Sequence, residues 1–275
     1  MRPRASSLAL LPLLAACGGG ASGPPGLAYD LPRTTQVRYV TGDTSTMDID
    51  AGGQAMQAFV TSSTTLGAAF ARAAGGVQVT MTVEDMDARV SNPMGSVTAD
   101  EAGIEGPLVF TLDRRGAATL VSQPTMNETA GQFFQPLSMA HGFFPRLPGR
   151  GAGMGESWTD TIRIEGEQGE GSINSISVVT YTVVGDSVLD GRSLVKIGLE
   201  GTSDSSARGV TTGMDFTQTA KGTISGWVLW DQQRGLLVES YTESDGRGSM
   251  EVSAAPFPLG LRVRSQSRVR LHEGM

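Results

Sequence analysis

The sequence predicts a mainly β protein: a large curved antiparallel meander, a half-barrel or open barrel, with a short helical plug. Three observations carry this reading. Apolar and polar residues alternate with period two through most of the chain after Thr35. Successive alternating segments are joined by short reversals marked by Gly or Asp-Gly, so they pair locally as antiparallel neighbours. The one concentrated apolar stretch without alternation, Thr129 to Phe144, is followed by Pro145 and Pro148.

The elements follow in order. Residues 51–72 are Ala-rich and carry a weak helical signal, but Phe59 to Thr65 is β-branched and favours a strand. Val77 to Val83 sets Val77, Val79, Met81 and Val83 on one face and Gln78, Thr80 and Thr82 on the other. Leu108 to Leu112 turns through Asp113-Arg114-Arg115-Gly116 into Ala117 to Val121. Ile176 to Val184 and Leu194 to Leu199 form a second hairpin around Leu189-Asp190-Gly191-Arg192. Ile224 to Trp230 meets Leu236 to Tyr241 through Asp231 to Gly235, where Asp231 and Gly235 shape the reversal. Arg262 to Leu271 closes the chain, with Val263 and Val269 alternating against four arginines.

Each strand is apolar on one face and rich in Thr, Ser and charge on the other. A sheet this large curls or closes to cover its apolar side. Glycines inside strands (Gly198, Gly222, Gly226) fit the bends that curvature needs. Phe133, Phe134, Leu137, Met139, Phe143 and Phe144 crowd the plug, with Pro136 placed to begin a helix and Pro145 and Pro148 to end it. These six side chains are the candidate plug or apolar-ligand residues. The chain then reads as a strand half at about 30–125, an apolar insert at 126–155 and a second strand half at 156–272, without a repeat between the halves.

The first residues read as an address. Arg2 and Arg4 precede the short apolar run Leu8 to Leu14, which ends at Ala15-Ala16-Cys17. A positive start, a brief apolar stretch and small residues at the cut make a secretory signal over residues 1–16. The run falls well short of the roughly 20 residues that cross a bilayer. Leu14-Ala15-Ala16-Cys17 resembles the lipobox of bacterial lipoproteins, and Cys17 is the chain's one cysteine. The resemblance implies lipidation of Cys17 and attachment to a membrane through that anchor. By similarity to enterobacterial sorting, Gly18 after the cysteine implies the periplasmic face of the outer membrane. Residues 17–34, opening with the Gly- and Pro-rich run 18–26, are expected to form a flexible tether that leads into one β-rich domain over 35–272.

The lipobox, the meander and the apolar insert together resemble the half-barrel family of lipoprotein carriers and receptors of the bacterial envelope, which includes mycobacterial lipid-binding lipoproteins. That resemblance implies a curved sheet around an apolar hollow, plugged by helices. Gly155-Glu156-Ser157-Trp158 and Asp231-Gln232-Gln233-Arg234-Gly235-Leu236-Leu237 also resemble a group of β-rich bacterial lipoproteins with a G-(D/E)-x-W start and a D-x-x-x-G-L-L hairpin. These motifs mark turns, with Trp158 packing under a loop, and carry no chemistry beyond Cys17.

Catalytic patterns fail on their own geometry. Ser193-Leu194-Val195-Lys196 spells S-x-x-K, but it opens a strand, where Ser and Lys point to opposite sides. The loop Gly149 to Ser157 resembles a phosphate loop, yet Glu156 stands where a lysine belongs. Asp48-Ile49-Asp50-Ala51-Gly52-Gly53 starts like a calcium loop and lacks its later oxygen ligands. Glu84-Asp85-Met86-Asp87 reads as a solvated acidic turn. A histidine-based hydrolase has only His141 and His272 to draw on, and no G-x-S-x-G elbow is present. With 28 acidic against 21 basic residues and a sequence pI of about 4.9, the chain lacks the electropositive balance of a nucleic-acid binder. The expectation is therefore a non-enzymatic envelope lipoprotein without metal or cofactor, binding a lipid or other apolar ligand in its curved sheet. The alternative is a structural or protein-interaction lipoprotein with no ligand pocket. Neither reading names a protein partner.

Overall fold

The computed structural model describes residues 26–93, 95–168, 171–211, 214–253 and 257–272. Residues 1–16 and Cys17 lie outside them. The elements run β1 (Gln36–Asp50), β2 (Ala55–Ala73), β3 (Gly76–Asn92), β4 (Gly95–Asp100), β5 (Ile104–Glu105), β6 (Leu108–Leu112), β7 (Ala118–Ser122) and β8 (Thr125–Met126). Two helices follow, α1 (Glu128–Phe133) and α2 (Pro136–Gly142). The chain ends with β9 (Ser157–Gln168), β10 (Gly171–Leu189), β11 (Arg192–Thr211), β12 (Met214–Asp231), β13 (Leu236–Val252) and β14 (Leu259–His272).

Twelve strands form one antiparallel sheet in the order β7-β6-β3-β2-β1-β14-β13-β12-β11-β10-β9, with β4 paired to β3. It curls through 276° as a half-barrel. Only β1–β14 joins strands distant in sequence; every other long pairing is a hairpin or a near neighbour. The expected hairpins are all present, and their strands run far longer than apolar alternation marks: β11 spans 20 residues, roughly 65 Å at 3.3 Å per residue.

At the Asp190-Gly191 reversal both residues have positive φ, 50° and 75°, the geometry that continues the twist of the flanking strands. Asp231 fixes the β12–β13 turn: its Oδ1 accepts the backbone N–H of Gln233 and of Arg234, and its Oδ2 accepts Arg234 Nε at 2.9 Å. Glycines supply the sharpest curvature. A Cβ at Gly226 would overlap the Tyr241 carbonyl oxygen, and one at Gly248 the Thr219 carbonyl oxygen. The β12–β13 seam is therefore a crease that only hydrogen side chains permit.

The plug is a helix broken in two. Asn127 caps α1 by accepting Ala130 N–H at 2.8 Å, and Pro136 opens α2 at its first helical position. Phe134 and Gln135 are extended between them. α2 packs against β6 and β7 at one edge of the sheet and against β9 at the other. The gap left by the curl is thereby filled by helix instead of strand pairing. The phenyl rings of α2's end enter the core: Phe143 meets Tyr39 at 5.2 Å and Phe144 at 4.9 Å between centroids.

One expectation is corrected here. The last residues of the supposed tether are part of the domain. Leu27, Ala28 and Tyr29 are buried, Leu27 bridges to Arg150, and Tyr29 donates its hydroxyl to Pro145 O at 2.7 Å. Tyr29 packs edge-on against Phe144 and Trp230, and Leu27 joins the same core. Their burial anchors a segment whose neighbours in sequence have no periodicity to announce it.

Candidate functional site

The inner face of the sheet changes character along its strands. At the end that carries the 74–75, 113–117, 190–191 and 232–235 turns it is filled. Tyr39, Leu66, Phe70, Phe110, Phe134, Phe143, Phe144, Ile197, Val228 and Trp230 form one buried cluster. The residual cavity beside Tyr29, Phe144 and Trp230 measures about 10 Å³, room for a single water. Of the six plug candidates, Phe134, Phe143 and Phe144 are core, whereas Phe133, Leu137 and Met139 are half-buried. Leu137 reaches the inner face of β9, where a Cβ on Gly166 would meet it at 2.7 Å. The structure thus brings three of the six together as filler, with Met139 packed against the same core, Phe133 against the small Met86, Ala88 and Ala130 cluster, and Leu137 on β9.

Beyond the core, the register carries a different set of residues on the same inward face. Ser62, Asp43, Ser267 and Thr242 sit side by side on β2, β1, β14 and β13. Ser45, Ser265 and Ser244 form the next row, with Ser265 Oγ donating to Ser45 Oγ at 3.1 Å. On β11 and β10 the same face carries Ser203 opposite Ser177 and Ser205 opposite Ser175. Asp43 is the carboxylate of this belt. Burial raises its carboxyl above the ordinary range, and the Ser267 and Ser62 hydroxyls pull it part of the way back. Further along, Met47, Ile49, Val60, Ile162, Ile164, Ile173 and Val263 face inward and are half-buried. This is a concave surface graded from hydroxyl to apolar, with Leu137 of the plug at its β9 edge.

Around β14 the outward face is built for water, whereas Phe59, Ile176, Val178 and Val184 stand exposed on it elsewhere. β14 sets Arg262, Arg264, Arg268 and Arg270 on the side opposite buried Leu261 and Val269, and flanking carboxylates hold each of them. Arg262 pairs with Asp245, Arg264 with Asp48, and Arg268 and Arg270 share Glu239. Arg38 reaches Glu84 over Gly67 at 2.6 Å, so Glu84 is not free to join Asp85 and Asp87 around a cation. Open concavities of about 650 and 580 Å³ lie on this polar side, around Arg38 and Glu84 and around Glu243, Asp245 and Arg264.

The remaining near-motifs are tied up locally. Glu156 turns back on its own loop to accept Gly153 N–H and Arg150 Nη1, and those bonds hold its carboxyl below the usual range. Asp50 caps its own turn through Gly53 N–H. Lys196 lies over the Trp227 ring at 5.6 Å, on the face away from Val195. Among the described residues no group of three or more His, Cys, Asp or Glu side chains is placed to hold a metal. Trp158 stacks on Tyr181 and donates Nε1–H to Arg146 O at 3.1 Å, under the loop that follows the plug. Sequence reading missed Asp43 and Arg146. Asp43 stands in an ordinary polar alternation, and only the register shows that it faces inward.

No family model matches the chain, and no curated protein matches it. Among solved structures it is similar to an outer membrane channel from Pseudomonas putida F1, with 10% identity over 90% of this chain and 99% of that chain and a TM-score of 0.35. It is also similar to Pseudomonas aeruginosa OccK8 (OprE), with 8% identity over 86% of this chain and 98% of that chain and a TM-score of 0.24. Likenesses this distant carry no function. The outward rows of arginine and carboxylate are also the reverse of the apolar band that a bilayer-spanning barrel presents to lipid. No helix of the described residues is long and apolar enough to cross a membrane.

Proposed function

We propose that the chain is a membrane-tethered envelope lipoprotein, anchored through Cys17, that works by binding and not by catalysis. Its ligand is an acyl chain or lipid held on the inner face beyond the plug. One observation carries the reading: Met47, Ile49, Val60, Ile162, Ile164, Ile173 and Val263 share a concave face and stay half-buried, with Leu137 of α2 reaching only its β9 edge. An apolar concavity lined by small and aliphatic side chains gains free energy when an apolar ligand displaces its water, at about 25 cal/mol per Å². The hydroxyl belt around Asp43 lies between that concavity and the filled core. The ligand's tail does not enter the aromatic core, because Phe134, Phe143 and Phe144 already fill it.

The alternative of a protein-interaction lipoprotein without a pocket rests on the filled aromatic core. The test is lipid extraction of the purified full chain followed by mass spectrometry, together with uptake of a fluorescent fatty acid. A co-purifying lipid, and uptake lost on introducing charge by Ile164→Glu, are expected. A chain that carries no lipid and takes up no fatty acid returns the protein-interaction reading. Mass spectrometry of the mature amino terminus tests the anchor directly, and a free Cys17 thiol on the protein from cells would overturn it.

A further inference from the structure

Arg146 is 4% exposed, and its Nη1 has no hydrogen-bond partner. Among the described residues no carboxylate pairs with it. Asp160, the acid on the adjoining β9, is engaged by Arg115 at 3.4 Å. A guanidinium buried without a counter-ion has lost its hydration with nothing to replace it, so it calls for a compensating anion. The backbone of Arg146 is fixed: its carbonyl accepts Trp158 Nε1–H and its backbone bonds to Tyr181. Tyr29 and Tyr181 lie within electrostatic reach of the guanidinium, and so does His141, half-buried in the last turn of α2. Burial and the Arg146 charge both hold the His141 imidazole below its ordinary range. A second donor, Trp230 Nε1, is also buried without a partner, against Tyr29. The core under the plug therefore holds N–H donors in excess of acceptors.

We infer that Arg146, with His141 beside it, is an oxyanion-binding site that takes the carboxylate or phosphate head group of an acyl ligand. The fork of N–H groups on a guanidinium matches the two oxygens of either group, and low surrounding dielectric strengthens the pairing. The inference rests on the proposed acyl-chain binding only for the ligand's tail; the anion site stands on Arg146 alone. An anion bound there neutralises the charge that opposes protonation of His141, so binding raises the midpoint of the His141 titration. Tyr29, Tyr39 and Tyr181 stay neutral throughout, because burial raises all three hydroxyls.

The experiment uses the full chain in detergent and compares decanoate, decyl phosphate and decanol by calorimetry. The titration of His141 is followed by NMR, and His272 serves as the internal control. Expected is binding of one or both anions about tenfold tighter than decanol, with the His141 midpoint moving up on addition of that anion or of inorganic phosphate. Whichever of decanoate and decyl phosphate binds more tightly names the head group. Arg146→Met, which keeps the volume and removes the charge, abolishes the preference. Should that variant not fold, Arg146→Lys weakens the preference by losing the fork. Equal binding of all three ligands, together with a His141 midpoint unmoved by decanoate and by phosphate, overturns the site. So does a folded Arg146→Met chain that still prefers the anion. If none of the tailed ligands binds yet phosphate moves His141, the acyl-chain function fails while the anion site stands.

Discussion

β11 opens with Val195, Ile197 and Leu199 facing inward and continues on the same face with Gly201, Ser203, Ser205 and Ala207. β1 runs from Tyr39 and Thr41 to Asp43, Ser45, Met47 and Ile49. The same strands thus build two interiors. At one end large rings interlock and exclude water. At the other, side chains too small to meet across the curve leave a graded, half-covered surface. The contrast teaches that hydrogen bonding along the strands is continuous, while stability is concentrated where rings pack. The open end is held in shape by its ladder and its glycine crease.

Three substitutions, the first two each set beside a control, break or sharpen that contrast, from the largest expected effect to the smallest. Phe144 touches Tyr29, Tyr39, Phe70, Phe110 and Phe143, so Phe144→Ala costs about 3–5 kcal/mol in urea unfolding. Ile164→Ala at the open end costs only about 1 kcal/mol. Equal losses would mean that the two ends share one core. Gly248→Ala forces the crease open and costs about 1–3 kcal/mol. Gly42→Ala on β1, with no atom within 4 Å of the added Cβ, is neutral or stabilising by up to about 1 kcal/mol. Matching thermal shifts for the two glycines would refute the crease.

Asp43→Asn gives the smallest effect and the one with a pH signature. The folded-state carboxyl is raised, so the folded protein holds its proton more tightly than the unfolded chain does. Its contribution is fully present below the ordinary carboxylate range and lost as pH rises through the raised value. Asn, which never ionises, therefore stabilises at neutral pH by about 0.5 kcal/mol, and the gain vanishes near pH ~3. A gain of the same size at both pH values would show that charge plays no part.

Local chemistry made much of this molecule legible. Period-two alternation marked β3, β6, β10 and β12, Asp-Gly marked the β10–β11 turn, and Pro136 marked the start of α2, because each depends on residues a few positions apart. The full reach of the strands was hidden. Their open ends are serine, threonine and glycine, whose strand state comes from pairing with neighbours and not from an apolar stripe. Leu27 and Tyr29 looked like linker for the same reason: their partners, Arg150 and Pro145, lie more than a hundred residues away.

The sequence by itself determined the meander, the reversals and the plug. Only the tertiary structure decided which plug rings fill the core, that Asp43 faces inward, and that Arg146 is buried without an acid beside it. Those properties belong to the space between elements, and that space exists only once the sheet has curled and the helix has closed its gap.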